Sequence, residues 1–344
     1  MFRLSNRSVI LVASVLAALT LTGQSQAQST EPFYKGKTIT IYVGFSAGGS
    51  YDLFARIFAR HWAKYVPGNP TMVASNMPGA GSLTAANWLY KVAPRDGTGL
   101  GIVTQTIAIE EVLKTAGVQY KASDFNWIGR ATSNVEVLVL ANKTGNVTLE
   151  TAKQVSIPVA STGLGSPSDS YPRLLNDTIG TKFRVIRGFP GSNDGIIALE
   201  RGEVDGTQTS WNSIKSQKMQ MLRDKKIVIP LQYTLRRAPE LADVPTPVDI
   251  MTNDHDRRMF SFALSSAEVG RSFFAPPGVP AQRVADLRSS FVEALKDPDL
   301  RAEIEKANLD FEPMPGDELA KIIAQAADVD AKLAERIQRL NNPD

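Results

Sequence analysis

Thr38 to Tyr65 reads TITIYVGFSAGGSYDLFARIFARHWAKY, a β-branched apolar run, then a glycine turn, then apolar residues at helical spacing. A strand that feeds a helix through a tight turn is the building unit of α/β layers, so this stretch narrows the fold more than any other. It also puts unpaired backbone N–H groups and the positive end of a helix dipole at one point, a natural place for a carboxylate or phosphate. Gly48 and Gly49 let the backbone approach a ligand without a Cβ in the way. Ser50 or Asp52 can cap the first turn, and Phe54, Ile57, Phe58 and Trp62 give the helix a face to bury. Taken singly, the stretch is equally consistent with an ordinary βα turn.

Similar units recur along the chain. Strands are expected at Ile39 to Phe45, Thr71 to Asn76 and Leu100 to Thr104, with helices Tyr51 to Tyr65 and Ser82 to Val92 between them. A second series starts near Val135, with strands at Val135 to Ala141, Ile157 to Ala160, Phe183 to Ile186 and Val204 to Thr207. Its helices are Ser168 to Ile179 and Ser192 to Arg201. This alternation implies mostly parallel sheets. Arg236 to Asp256 is proline-rich and reads as irregular. Helices over Ala281 to Lys296, Asp299 to Ala307 and Asp317 to Leu340 close the chain and most simply pack back on the first domain. The expected organisation is residues 28–132 and 269–344 as one domain and 133–268 as a second.

Four loops follow strands and open helices: FSAGGS (Phe45 to Ser50), NMPGAGS (Asn76 to Ser82), STGLGSPS (Ser161 to Ser168) and GFPGSN (Gly188 to Asn193). Ligands of open α/β sheets bind at the carboxyl ends of strands, where all four lie. Two such domains face to face would gather four helix N-termini around one cleft. Burying a carboxylate there requires several donors at once, which backbone N–H groups and Ser or Thr hydroxyls can supply.

The first residues suggest a compartment. Arg3 and Arg7 precede an apolar run, Val9 to Leu21, and Ser25-Gln26-Ala27 resembles a cleavage site, so residues 1–27 read as a secretory signal peptide. The apolar run is shorter than the roughly 20 residues needed to span a bilayer. Taking Arg3 and Arg7 from 38 Lys+Arg against 35 Asp+Glu leaves a mature charge of about +1, and no basic cluster suits nucleic acid or a membrane surface. The chain has no cysteine, which excludes a disulfide framework and thiol chemistry and suits a periplasm. Taking 27 from 344 residues leaves 317, enough for two domains of ~100 to 200 residues.

Beyond these loops, Lys37 to Asp52 (KTITIYVGFSAGGSYD), Asn76 to Ala86 (NMPGAGSLTAA), Ala93 to Thr98 (APRDGT), Gly202 to Asp205 (GEVD), Asp243 to Thr246 (DVPT) and Phe274 to Pro280 (FAPPGVP) occur in that order. The ordered set resembles the extracytoplasmic solute receptors of tripartite tricarboxylate transporters, also called Bug receptors. The resemblance implies a type II periplasmic-binding-protein fold, α/β in class, in which two α/β domains close around a ligand cleft over a small organic acid. It also implies a membrane partner of one large and one small integral subunit. With neither HExxH nor CxxC in the chain no metal is expected, and no cofactor, no nucleic acid and a monomer are expected with it. Carried over from the family, the ligand-binding positions are Phe45, Ser46, Ala47, Gly48, Gly49 and Ser50 in the first loop and Ser161, Thr162, Gly165, Ser166 and Ser168 in the second domain. Gly79 and Phe189, from the other two loops, and Asp205, near the cleft, join them. One departure is Val43-Gly44-Phe45, where the family commonly has a Val-Pro-Phe-like strand end.

Other residues carry two readings each. Arg130, about where the chain first crosses between domains, suits either a bidentate grip on a carboxylate or a structural ion pair. Phe45, Trp127, Phe189 and Trp211 suit an apolar wall of the site or the core. Gly44-Phe45-Ser46-Ala47-Gly48 matches the G-x-S-x-G of a serine hydrolase, and Asp249 and His255 could complete a triad in order. Against that, only 18 mature residues precede Ser46, too few for the strands a hydrolase places before its nucleophile. His61 falls on an apolar-patterned helix, and His255 lies in NDHDRR, which reads as a solvated loop. Asp249, Asp254 and Asp256 lack the spacing of a calcium loop.

Overall fold

Thr38–Val43 (β1) alternates buried and half-exposed residues and runs into Ser50–Trp62 (α1), which lays Phe54, Ile57, Phe58 and Trp62 against the sheet. The computed structural model describes residues 32–143, 145, 147–326 and 330–341. The expected signal peptide, residues 1–27, lies outside the described residues. From Tyr34 onward the chain forms one compact unit.

After α1 come Thr71–Asn76 (β2), Leu83–Lys91 (α2), Gly99–Ile102 (β3), Ile107–Val112 (α3) and Asn126–Arg130 (β4). The chain then enters a second sheet with Glu136–Ala141 (β5), Ile157–Ser161 (β6), Pro167–Ile179 (α4), Phe183–Arg187 (β7), Ser192–Arg201 (α5), Gly206–Ser210 (β8), Ile227–Tyr233 (β9) and Asp254–Ser265 (α6). It returns through Ser272–Ala275 (β10), Ala281–Ala294 (α7), Pro298–Lys306 (α8), Met314–Pro315 (β11), Gly316–Gln325 (α9) and Ala331–Asn341 (α10).

The first sheet has the order β11-β4-β10-β3-β1-β2 and the second β7-β6-β8-β5-β9. Both are mixed rather than mostly parallel. The βα units, β1 with β2 and β3 and β6 with β7 and β8, pair in parallel, whereas β4, β5, β9, β10 and β11 pair antiparallel. The antiparallel strands include those that carry the chain out of one sheet and back into it, and they have no crossover helix to keep them in the same direction.

Packing explains the composition of these strands. The run EVLVLA of β5 is buried throughout, with Val137 and Val139 in one core and Leu138 and Leu140 in another, because helices cover both faces of its sheet. In the first lobe, Phe58, Trp62, Phe273 and Phe291 form an aromatic cluster with ring centroids 4.9 to 6.5 Å apart, and the Trp62 indole donates to Ser290 Oγ at 2.9 Å.

Two elements differ from the sequence reading. The last helix does not return to the first sheet: Leu333 and Ile337 of α10 enter the core of the second lobe against α4, and Arg336 pairs with Asp177 and Asp256. Nor is NDHDRR a solvated loop, since Asn253 caps α6 by accepting the Asp256 N–H and places His255 in its first turn. Asp249 accepts from Arg237 and from the Thr246 N–H in a capping box, which accounts for it without an ion. No helix among the described residues is long and apolar enough to cross a membrane.

Candidate ligand-binding site

The glycine loop before α1 is shaped from within. Gly48 has φ +91°, a conformation that favours glycine, and its N–H donates to Asp52 Oδ2 at 3.0 Å. Burial works against ionising Asp52, but the Arg56 guanidinium, the Gly48 N–H and the Asn76 amide outweigh it and hold the carboxyl below its usual range. Asp52 therefore braces the loop and is not a cap in the ordinary sense; the N-cap position is Gly49.

Loops from the two lobes meet across a cleft. Ser46 donates its N–H to the Pro190 carbonyl at 3.0 Å and its hydroxyl to Asp194. Ser50 N–H donates to Ser213 Oγ at 3.2 Å, and Ser210 Oγ donates to Ser50 Oγ at 2.9 Å. On the other side of the cleft, Gly81 N–H donates to the Thr162 carbonyl at 2.8 Å and Thr106 Oγ1 to the Gly165 carbonyl at 2.9 Å. The lobes stand closed.

Between them lies a cavity of about 50 Å³, room for roughly four waters at ~10–15 Å³ each. Of the positions expected from sequence, Phe45, Ser46, Gly49, Ser50, Thr162, Ser166 and Ser168 line it. Thr162 N–H donates to Ser168 Oγ at 3.0 Å, and the Ser166 and Ser168 hydroxyls are 2.9 Å apart, so the second loop presents a bonded cluster. Phe45 lies against Tyr51 with ring centroids 4.8 Å apart.

The remaining positions are not at the cavity wall. Ala47 is exposed, and the Gly48 carbonyl accepts from Gln217. Gly79 forms a turn at φ +140° packed on Thr84. Ser161 Oγ donates to Asp169 and accepts the Gly163 N–H, shaping the loop from behind. Gly165 covers Glu110 of α3. Phe189 packs toward the second-lobe core, and Asp205 is partly exposed and paired with Lys143. Trp127 and Trp211 are core residues whose indoles donate to the Ala122 carbonyl and to Glu240.

Arg130 is also absent from the cavity. Its Nη1 donates to the Glu268 carbonyl at 2.6 Å and to Glu268 Oε2 at 3.1 Å, while Nε and Nη2 reach the Glu312 carbonyl at 3.3 Å. It ties the segments around the crossover together.

A different arginine lines the cavity. Arg271, 1% exposed, donates to Ser50 Oγ from Nε at 3.0 Å and from Nη2 at 2.8 Å, and its guanidinium stands 3.8 Å from the centroid of the Tyr51 ring. Its Nη1 is buried and has no hydrogen-bond partner. Glu136 Oε1 stands 3.9 Å from Arg271 Nη2 and accepts from Asn134 Nδ2. Burial pushes the Glu136 carboxyl up, against the pull of Arg271. The sequence reading missed both residues. Each is a lone charge at the edge of an apolar run, Arg271 before SFFA and Glu136 at the head of EVLVLA, and that juxtaposition is the signal that could have found them.

Residues 55–341 match the family described as tripartite tricarboxylate transporter family receptor. The chain belongs to that family. Over 98% of its length it is 28% identical to the UPF0065 protein in the TAR-I ttuE-ttuC' intergenic region of Agrobacterium vitis, covering 91% of that relative. Among solved structures it resembles the periplasmic binding protein BugD, with a TM-score of 0.69 at 19% identity, covering 89% of this chain and 98% of that one. It likewise resembles MatC of Rhodopseudomonas palustris with bound malate, with a TM-score of 0.68 at 23% identity over 88% of this chain and 99% of that one. R. palustris Rpa4515 with adipate has a TM-score of 0.68 at 19% identity, over 89% and 97%. The two-domain periplasmic-binding fold of these neighbours is the fold found here, and the receptor family is one of solute-binding proteins.

Proposed function

We propose that this receptor captures a small organic acid between its lobes in the periplasm and, as a monomer, delivers it to a membrane partner of one large and one small integral subunit. It performs no chemistry on the ligand. The observation that carries this reading is the convergence of the first-lobe glycine loop and the second-lobe serine loop on one cavity. Backbone N–H groups and hydroxyls at helix starts favour an anion there. Solved relatives of the same fold hold malate and adipate. A ~1 μM dissociation constant needs about −8 kcal/mol, within reach of a few charge-assisted hydrogen bonds and burial of the ligand's carbon chain.

The hydrolase alternative lacks support at its base. Ser46 donates its hydroxyl hydrogen bond to a carboxylate, Asp194, while His61 lies with Glu303 and Asp297, and His255 is in the first turn of α6.

Thermal shift of the mature protein against a panel of carboxylates, sugars and esters tests the reading. A ligand at a hundredfold excess over its dissociation constant should add roughly 2.7 kcal/mol of stability. A shift from sugars or esters alone, with none from any acid, would refute it.

A further inference from the structure

We propose that Arg271 is the specificity-determining residue of the cleft, receiving a second carboxylate of the ligand, so that the preferred solute is a short dicarboxylate. The inference rests on the carboxylate reading above and adds which end of the ligand each part of the site reads.

The cavity offers two separate sets of donors. One is the loop set, Thr162, Ser166 and Ser168, whose hydroxyls already bond one another and the backbone. The other is Arg271, which immediately precedes β10 of the first sheet and does not come from any of the four glycine loops. Two of its nitrogens are spent on Ser50, fixing the guanidinium plane, and stacking on Tyr51 fixes it further. The third, Nη1, is left buried and unbonded in a cavity wall. A buried donor without a partner is rare and costly, more so on a charged group. Gln208, which lies beside Glu136, lines the same cavity.

Glu136 does not supply the missing partner. Its closest approach to Arg271 is 3.9 Å, to Nη2 and not Nη1, and burial favours its protonated form. At that distance Glu136 leaves Nη1 without a partner and compensates the buried guanidinium charge only weakly. An anionic group placed at Nη1 answers both needs. A planar fork held this rigidly loses little further freedom when it binds a carboxylate. The volume of about 50 Å³ suits a solute of three or four carbons in the closed state.

Calorimetry of the mature protein with succinate, monomethyl succinate and butyrate tests the assignment, on wild type and on Arg271→Met. The expectation is that wild type binds succinate at least ~100-fold more tightly than either monoanion, and that Arg271→Met loses ~100-fold for succinate but less than ~3-fold for the monoanions. Equal affinity for succinate and the monoanions in wild type would overturn the proposal and leave the carboxylate reading standing. So would equal losses for all three ligands in Arg271→Met, which would assign Arg271 to the only carboxylate. Should Arg271→Met fail to fold, the wild-type ratio decides alone, ~100-fold supporting the proposal and parity overturning it. Failure of wild type to bind any acid overturns this proposal together with the function it rests on.

Discussion

Ser46 and Asp194, 148 residues apart in sequence, are joined across the cleft by a hydrogen bond from the serine hydroxyl to the carboxylate. A loop position with the appearance of a ligand contact, or of a nucleophile, thus serves as a latch between lobes. Beside it, Ser46 N–H donates to the Pro190 carbonyl, so the same residue closes the cleft twice. Closure favours ligand binding only to the extent that such contacts exist in the closed state and not in the open one.

Breaking this latch should weaken ligand affinity without unfolding the protein. Ser46→Ala and Asp194→Asn are each expected to lose about 1.5 to 3 kcal/mol of closed-state stability, and the double variant no more than the larger single loss. Calorimetry on the four proteins checks this; additive losses would mean that the residues act separately.

Gly191 tests the closeness of the lobes. Its backbone, at φ −163°, is one that any residue adopts, yet a Cβ there would stand 2.2 Å from Ser46 Oγ. Gly191→Ala should therefore hold the cleft ajar, lowering affinity by about tenfold and enlarging the ligand-bound particle in small-angle scattering. Adding Ser46→Ala, which removes the obstructing oxygen, should restore part of the closure; an unchanged radius in Gly191→Ala would argue against it.

Glu110 makes stability fall as pH rises toward about 8. It sits on α3, whose Ile107 and Ala108 pack in the first core and whose Ile109 packs in the second, and a Cβ on Gly165 would touch its carboxyl. Burial pushes its pKa to about 8, with Asp169 adding to the rise and the Thr115 hydroxyl opposing it. Because the folded value lies above the unfolded one, its contribution is fully present below the ordinary carboxyl range and is lost as pH climbs to about 8. Glu110→Gln should then melt higher than wild type at pH 8 to 9 by roughly 2–5 kcal/mol of stability, with the advantage shrinking toward pH 5. Denaturant titrations across that range would show a constant offset if the carboxyl did not titrate there.

Arg130 should behave as a structural residue. Its guanidinium is spent on Glu268 and Glu312, so Arg130→Ala is expected to cost ~2–4 kcal/mol of stability and to leave ligand affinity within about threefold. A large affinity loss in a folded Arg130→Ala variant would return it to the site.

Local pattern determined much of this protein. Strand-turn-helix units, the turns at Phe45 to Ser50 and Ser161 to Ser168, and the wholly apolar β5 follow from periodicities of 2 and 3.6 and from where glycine is tolerated, all short-range properties of the chain. Tertiary structure decided which of those groups meet the cavity. Arg130 and Arg271 flank the same strand pair, with Arg130 opposite Ser272 in the antiparallel register, and a one-residue offset turns their side chains to opposite faces. One guanidinium is thereby consumed by Glu268 and Glu312, and the other is left with a free donor in the cleft. Spacing along the sequence cannot show this, because it depends on the register between strands some 140 residues apart and on how closely the second lobe approaches the first.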